Sequence, residues 1–69
     1  MTGLIHSAAA YRAQAERYQE TLDAAKARRA AYAAEGNRKH VERIEPMIDH
    51  YTRLVQQYRD LAEQKELSE

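Results

Sequence analysis

Apolar and small residues, joined by one arginine, recur along the first half of the chain at alternating steps of four and three positions. The series keeps its phase throughout, and its members are Leu4, Ala8, Tyr11, Ala15, Tyr18, Leu22, Ala25, Arg29 and Tyr32. This heptad spacing places the side chains along one seam of a helix. We therefore predict a long helix from about residue 3 to residue 35, with Thr2 or Ser7 as its N-cap.

Gly36 and Asn37 interrupt this series and predict a turn. Gly just beyond a helix readily adopts the left-handed conformation that ends it, and Asn is a favoured N-cap for the next helix. A second heptad series follows, whose members are Val41, Ile44, Ile48, Tyr51, Val55, Tyr58, Ala62 and Lys65. We predict a second helix from about residue 38 to residue 66, with a frayed tail beyond it.

If the chain folds back at this turn, the two series stay in register along their whole length. Large residues then face small ones at four levels, as when Tyr58 faces Ala15, which suits interdigitating helices. The sequence therefore predicts an all-α, antiparallel two-helix hairpin of the coiled-coil type, formed as a single domain by residues 1–69. Lys26 and Glu45 would share one flank of this hairpin and could pair there.

Pro46 is the main objection to a continuous second helix. Its ring clashes with the carbonyl of Glu42, and it disfavours a helical conformation of Glu45. One alternative is a helix that continues through Pro46 with a kink, and the other is a helix that ends near Ile44 and restarts at Pro46. The unbroken heptad phase and the poor N-capping ability of Glu favour the kinked, continuous helix.

The composition indicates that this hairpin needs a further contact. The chain has 69 residues and contains no Cys, Phe or Trp. Its own core is expected to supply no more than about 3–5 kcal/mol, because the chain is so short. We therefore expect completion by dimerisation into a four-helix bundle or by docking on a partner protein.

Five apolar or aromatic residues of the second helix form the predicted partner or dimer interface. Three of them repeat every seven residues beside the seam and widen its apolar stripe, namely Met47, Leu54 and Leu61. Tyr51 and Tyr58 complete the interface, because Tyr is a frequent interface anchor. Alternatively, the tyrosines pack within the seam with their hydroxyls at its wet edge, and a slightly rotated hairpin buries the other three.

Basic residues gather around the turn although the net charge of the chain is zero. We call this group the basic tip, and its members are Arg28, Arg29, Arg38, Lys39, His40 and Arg43. Cations in the first turn of the second helix oppose the helix dipole, which can mark a functional site. The tip either docks on phosphates or an acidic protein surface, or it is a solvated turn. Arg29, which lies in the seam, is expected to extend toward Glu42 or Glu45.

No residue pattern in the sequence indicates catalysis or a bound cofactor. The three histidines, His6, His40 and His50, are too far apart in the hairpin to share a metal ion. Carboxylate pairs occur on helix surfaces, where no pocket is available to prepare them for acid–base work. We therefore expect no enzymatic activity, no metal and no cofactor.

Two functions remain open from the sequence. The first is a small regulatory, non-catalytic protein-interaction module that acts as an adaptor, an inhibitor or an assembly subunit. The second is an RNA- or DNA-binding regulator, since the layout resembles the plasmid copy-number regulators of the Rop type, with no shared motif. A neutral net charge favours the first. We expect a cytoplasmic protein without a membrane partner, because the chain has neither a spanning segment nor a basic secretory leader.

Overall fold

The computed structural model describes residues 7–68, which form two long antiparallel helices joined by a tight turn. Helix α1 spans Ala8–Ala34 and helix α2 spans Arg38–Ser68. These residues occupy 49 × 18 × 14 Å along the principal axes, so the hairpin is one helix long and little more than one helix thick. The predicted all-α hairpin is confirmed. Neither α1 nor α2 combines the length and the apolar character that crossing a bilayer would require.

The start of α1 is set by Ser7, which has an extended backbone with φ −79° and ψ 158°. Its Oγ accepts a hydrogen bond from the backbone N–H of Ala10 at 3.1 Å, which satisfies one of the free donors of the first turn. The part of the predicted helix that precedes Ser7 lies outside the described residues. The other candidate cap, Thr2, lies outside the described residues.

The turn at Gly36 and Asn37 is confirmed. Gly36 has φ +73°, and the N–H groups of Gly36 and Asn37 donate to the carbonyls of Ala33 and Tyr32 at 3.0 and 2.8 Å. This double hydrogen bond closes the carboxyl end of α1. Asn37 Oδ1 then accepts from the backbone N–H of His40 at 3.5 Å and lies 2.8 Å from its Nδ1, so Asn37 caps α2.

Helix α2 continues through Pro46, and the alternative of two shorter helices is wrong. Ile44 and Ile48, on either side of Pro46, are both buried. Their packing against α1 holds this segment in the helix despite the hydrogen bond that proline removes. At its other end α2 extends to Ser68, slightly beyond the predicted residue 66.

Among residues 7–68, every buried core residue belongs to one of the two predicted heptad series. These buried residues are Ala8, Ala15, Leu22, Ala25, Ile44, Ile48, Val55 and Ala62. Half of these eight side chains are alanines, so the core is narrow. Arg29 is half-buried in the seam, and it forms no ion pair with Glu42 or Glu45, contrary to the sequence-based expectation.

Candidate functional site

One edge of the seam is closed by hydrophilic side chains that reach from helix to helix. Arg12 forms an ion pair with Glu66, and Arg59 Nη2 donates to Gln19 Oε1 at 3.2 Å. We call this edge, formed by Arg12, Gln19, Arg59 and Glu66, the polar flank.

The Lys26–Glu45 pair that the sequence predicts does not form among the described residues. Gln19 and Arg59 lie opposite each other, and α1 and α2 run antiparallel. Seven residues after Gln19 on α1 is Lys26, and seven residues before Arg59 on α2 is Thr52. In the register of the polar flank, Lys26 therefore lies opposite Thr52 and is displaced from Glu45.

Tyrosine rings line the other edge of the seam and alternate between the two helices. The ring centroid of Tyr18 is 5.7 Å from that of Tyr51 and 5.5 Å from that of Tyr58. Tyr58 in turn contacts Tyr11 at 6.1 Å, and the three pairs of rings are tilted by 43–47°. All four tyrosines are half-buried. They thus pack within the seam, as the simpler sequence interpretation holds, and still keep part of each side chain exposed.

Three apolar residues of α2, which we call the apolar row, lie on this same edge. Each of them follows Ile44, Tyr51 or Tyr58 by three positions, and residues at this spacing share a helix face. Leu61 lines an open depression with Tyr11 and Tyr58, and Met47 lines another with Tyr32 and Ile44. The members of the row are Met47, Leu54 and Leu61. We call the five tyrosines together with this row the aromatic flank, and every residue of the predicted interface belongs to it.

Only part of the apolar row is covered within the hairpin. Met47 is 38% exposed, whereas Leu54 and Leu61 are half-buried. Polar residues of α1 lie beside two members of this row, since Gln14 lines the depression of Leu61 and Arg28 lines that of Met47. Internal packing therefore hides some of the row and leaves the rest as surface.

The structure divides the basic tip between different sides of the hairpin. Arg28, His40 and Arg43 surround the depression that contains Met47, and the ring of His40 lies 4.8 Å from that of Tyr32. By contrast, Arg38 borders a separate depression beside Gly36 and Asn37. Lys39 is exposed, and Arg29 is held in the seam. Half of the predicted tip therefore belongs with the aromatic flank.

Sequence reasoning found the residues of this site but missed that the basic tip and the apolar row meet. The i, i+4 relation between Arg43 and Met47 could have revealed it, since residues at this spacing share a helix face.

Arginine and His40 side chains lie beside the aromatic and apolar side chains of this surface. Its depressions are open and are lined by aromatic, aliphatic and cationic side chains. No group of three potential metal-ligating side chains converges within residues 7–68.

Comparison with known proteins adds no precedent for this geometry. The chain matches no protein-family model, and neither a curated protein nor a solved structure shows similarity to it. The aromatic flank and the basic tip therefore carry the functional interpretation.

Proposed function

We propose that this protein is a small, non-catalytic protein-interaction module that binds a protein through its aromatic flank. The observation that carries the proposal is the contrast between the two edges of one seam. Polar contacts close one edge, whereas Met47 remains 38% exposed beside half-buried leucines and tyrosines on the other. An apolar row that the fold leaves partly uncovered can serve as a contact surface.

Because the core is small, covering the aromatic flank would raise the free energy of unfolding by a substantial fraction. Half of the buried side chains are alanines, which contribute little apolar area. Burying a Leu or Met side chain fully contributes about 1.5–3 kcal/mol. Because only about a third or less of each of the three side chains is still exposed, covering the apolar row would add at most the equivalent of about one such side chain. An adaptor, an inhibitor or an assembly subunit in the cytoplasm would obtain this stabilisation on binding, either from a partner or by forming a homodimer.

Leu54→Glu tests the proposal, because it places a charge in the middle of the aromatic flank. We expect the variant to keep its helix content in circular dichroism and to lose self-association in sedimentation velocity, or to lose its partner in affinity purification from the native host. Thr52→Glu is the matched control, since it adds the same charge on the exposed polar side of α2. If Leu54→Glu changes neither solution mass nor partner binding, the aromatic flank is internal packing and the proposal is wrong.

A nucleic-acid-binding regulator is the second candidate. Its support is that the exposed cations of the basic tip form no ion pair with any described acidic residue. Titration of a labelled RNA or DNA at increasing salt separates the two functions. Binding to phosphates weakens steeply with salt, whereas an apolar protein contact does not.

A further inference from the structure

The two sides of the hairpin differ in charge as well as in polarity. We letter the heptad so that the five tyrosines occupy position d and the apolar row occupies position g. At about 100° per residue, positions c, d and g are then neighbours around each helix, and a, e and b are neighbours on the other side. The aromatic flank occupies positions d and g. Within α1 and α2, positions c, d and g contain no acidic residue at all. The acids of the helices lie elsewhere: Glu16, Glu20, Asp23, Glu42, Glu45, Asp49, Asp60, Glu63 and Glu66.

Arginines border both apolar depressions of the aromatic flank. Arg17 borders the one that contains Leu61, and Arg28 and Arg43 border the one that contains Met47. All three side chains are exposed, and none forms an ion pair among the described residues. Although the chain has zero net charge, the charged side chains that line these two depressions are basic, and no carboxylate is among them.

This charge distribution disfavours a second copy of the chain as the occupant. In a two-fold dimer the same patch meets itself, so the acid-free border of one copy would face the acid-free border of the other. Like charges brought together in this way oppose association. The same border attracts a partner whose own apolar surface is edged by carboxylates.

The shape of the surface favours a helix as that partner. Met47, Leu54 and Leu61 are spaced by seven residues and cover about 20 Å of α2, at about 1.5 Å per residue. An amphipathic helix of about four turns matches that length and period. A single-stranded nucleic acid fits less well, because it needs open ring faces for stacking, and these rings are half-buried and pack against one another.

We infer that the aromatic flank binds an acidic amphipathic α-helix of another protein. Its apolar face would cover the apolar row and the tyrosines, and acidic residues on its borders would pair with Arg17, Arg28 and Arg43. This inference rests on the proposed protein-interaction function and specifies the chemistry of the partner.

A displayed library of helical peptides tests the inference even while the partner is unidentified. Each peptide has about four turns, one face randomised among Leu, Ile, Met and Phe, and bordering positions randomised among Glu, Lys and Gln. We expect the full chain to select Glu at the bordering positions. A selected peptide should bind about tenfold more tightly than its Glu-to-Lys counterpart, since several exposed ion pairs become repulsive contacts.

Charge-reversal variants show whether Arg28 and Arg43 cause the preference for Glu at the bordering positions of the peptide. With Arg28→Glu and Arg43→Glu combined, we expect selection at the neighbouring peptide positions to change from Glu to Lys. With Arg28→Gln and Arg43→Gln combined, the preference should disappear. The matched control combines Lys26→Glu with Arg53→Glu, an equal charge change at exposed positions away from the aromatic flank, and should keep the preference for Glu.

Several outcomes would overturn the inference. Equal selection of Glu and Lys would leave an interaction surface without the acidic partner. A dimer in sedimentation velocity that Leu54→Glu abolishes would assign the flank to a second copy, and displacement of a selected peptide by a single-stranded oligonucleotide would assign it to nucleic acid. Absence of any selected peptide would also reject the acidic helix. The proposed protein-interaction function is tested separately, by the effect of Leu54→Glu on solution mass and partner binding.

Discussion

Along the polar flank the two helices touch through the ends of long hydrophilic side chains, and along the aromatic flank they touch through rings. The side chains of Arg12 and Glu66 remain 56% and 43% exposed, so water competes for their ion pair. The rings of Tyr11, Tyr18, Tyr51 and Tyr58 exclude water from their contacts and are half-buried. The polar flank thus helps to fix which residues face each other but contributes little stability. The aromatic flank contributes more stability and leaves part of its apolar surface uncovered.

Among the substitutions, the largest loss of stability is expected at Leu22, which lies in the core between the two flanks and is only 3% exposed. Leu22→Ala removes a large side chain from a core that is already half alanine, and such changes cost about 2–5 kcal/mol. We expect the cooperative thermal transition in circular dichroism to disappear or to shift strongly downward. Leu67→Ala is the control, because Leu67 is 82% exposed and its loss should leave the transition in place. Equal melting of the two variants would mean that the buried seam does not hold the hairpin together.

An intermediate effect is expected on the aromatic flank. Tyr18→Ala removes two ring contacts at once, each worth about 0.5–1.5 kcal/mol beyond the area that it buries. We expect the two ring contacts to account for a loss of about 1–3 kcal/mol in the free energy of unfolding, measured by urea denaturation, and the lost burial of the ring to add to it. Tyr18→Phe keeps the ring and should retain most of the stability. If Phe is as damaging as Ala, the hydroxyl rather than the ring makes the essential contact.

The smallest effect is expected on the polar flank. Arg12→Ala removes the exposed ion pair with Glu66, and pairs of this kind contribute no more than about 1 kcal/mol. We expect the difference from the unmodified chain to shrink further as salt is raised, because ions screen exposed charges. A loss as large as that of Tyr18→Ala would remove the distinction between the flanks.

The helices, their antiparallel arrangement and the turn could be predicted because local spacing encodes them. The heptad series selects the buried faces, and Gly36 and Asn37 specify the conformations at the junction. The start of α1 was harder, since Thr2 and Ser7 are both acceptable caps and sequence spacing alone does not choose between them. The path through Pro46 depended on burial of Ile44 and Ile48, which becomes visible only when α1 is in place.

The candidate site could be predicted residue by residue but not as one surface. The apolar row and the tyrosines follow from spacing along one helix. Contact between Tyr18 and both Tyr51 and Tyr58 depends on how the two helices interleave. The Lys26–Glu45 prediction failed for the same reason, because the register of a flank differs from that of the seam beside it.

Because the helices are joined by a tight turn, contacts between them differ in the number of residues that separate the two contacting residues along the chain. Tyr32 and His40 meet across a few residues beside the turn, whereas Arg12 and Glu66 meet near the free ends after almost the whole described chain has been traversed. Closing a short loop costs less entropy than closing a long one. We therefore expect the contacts between α1 and α2 to form first beside Gly36 and to spread away from it, and the contacts farthest from the turn to open first.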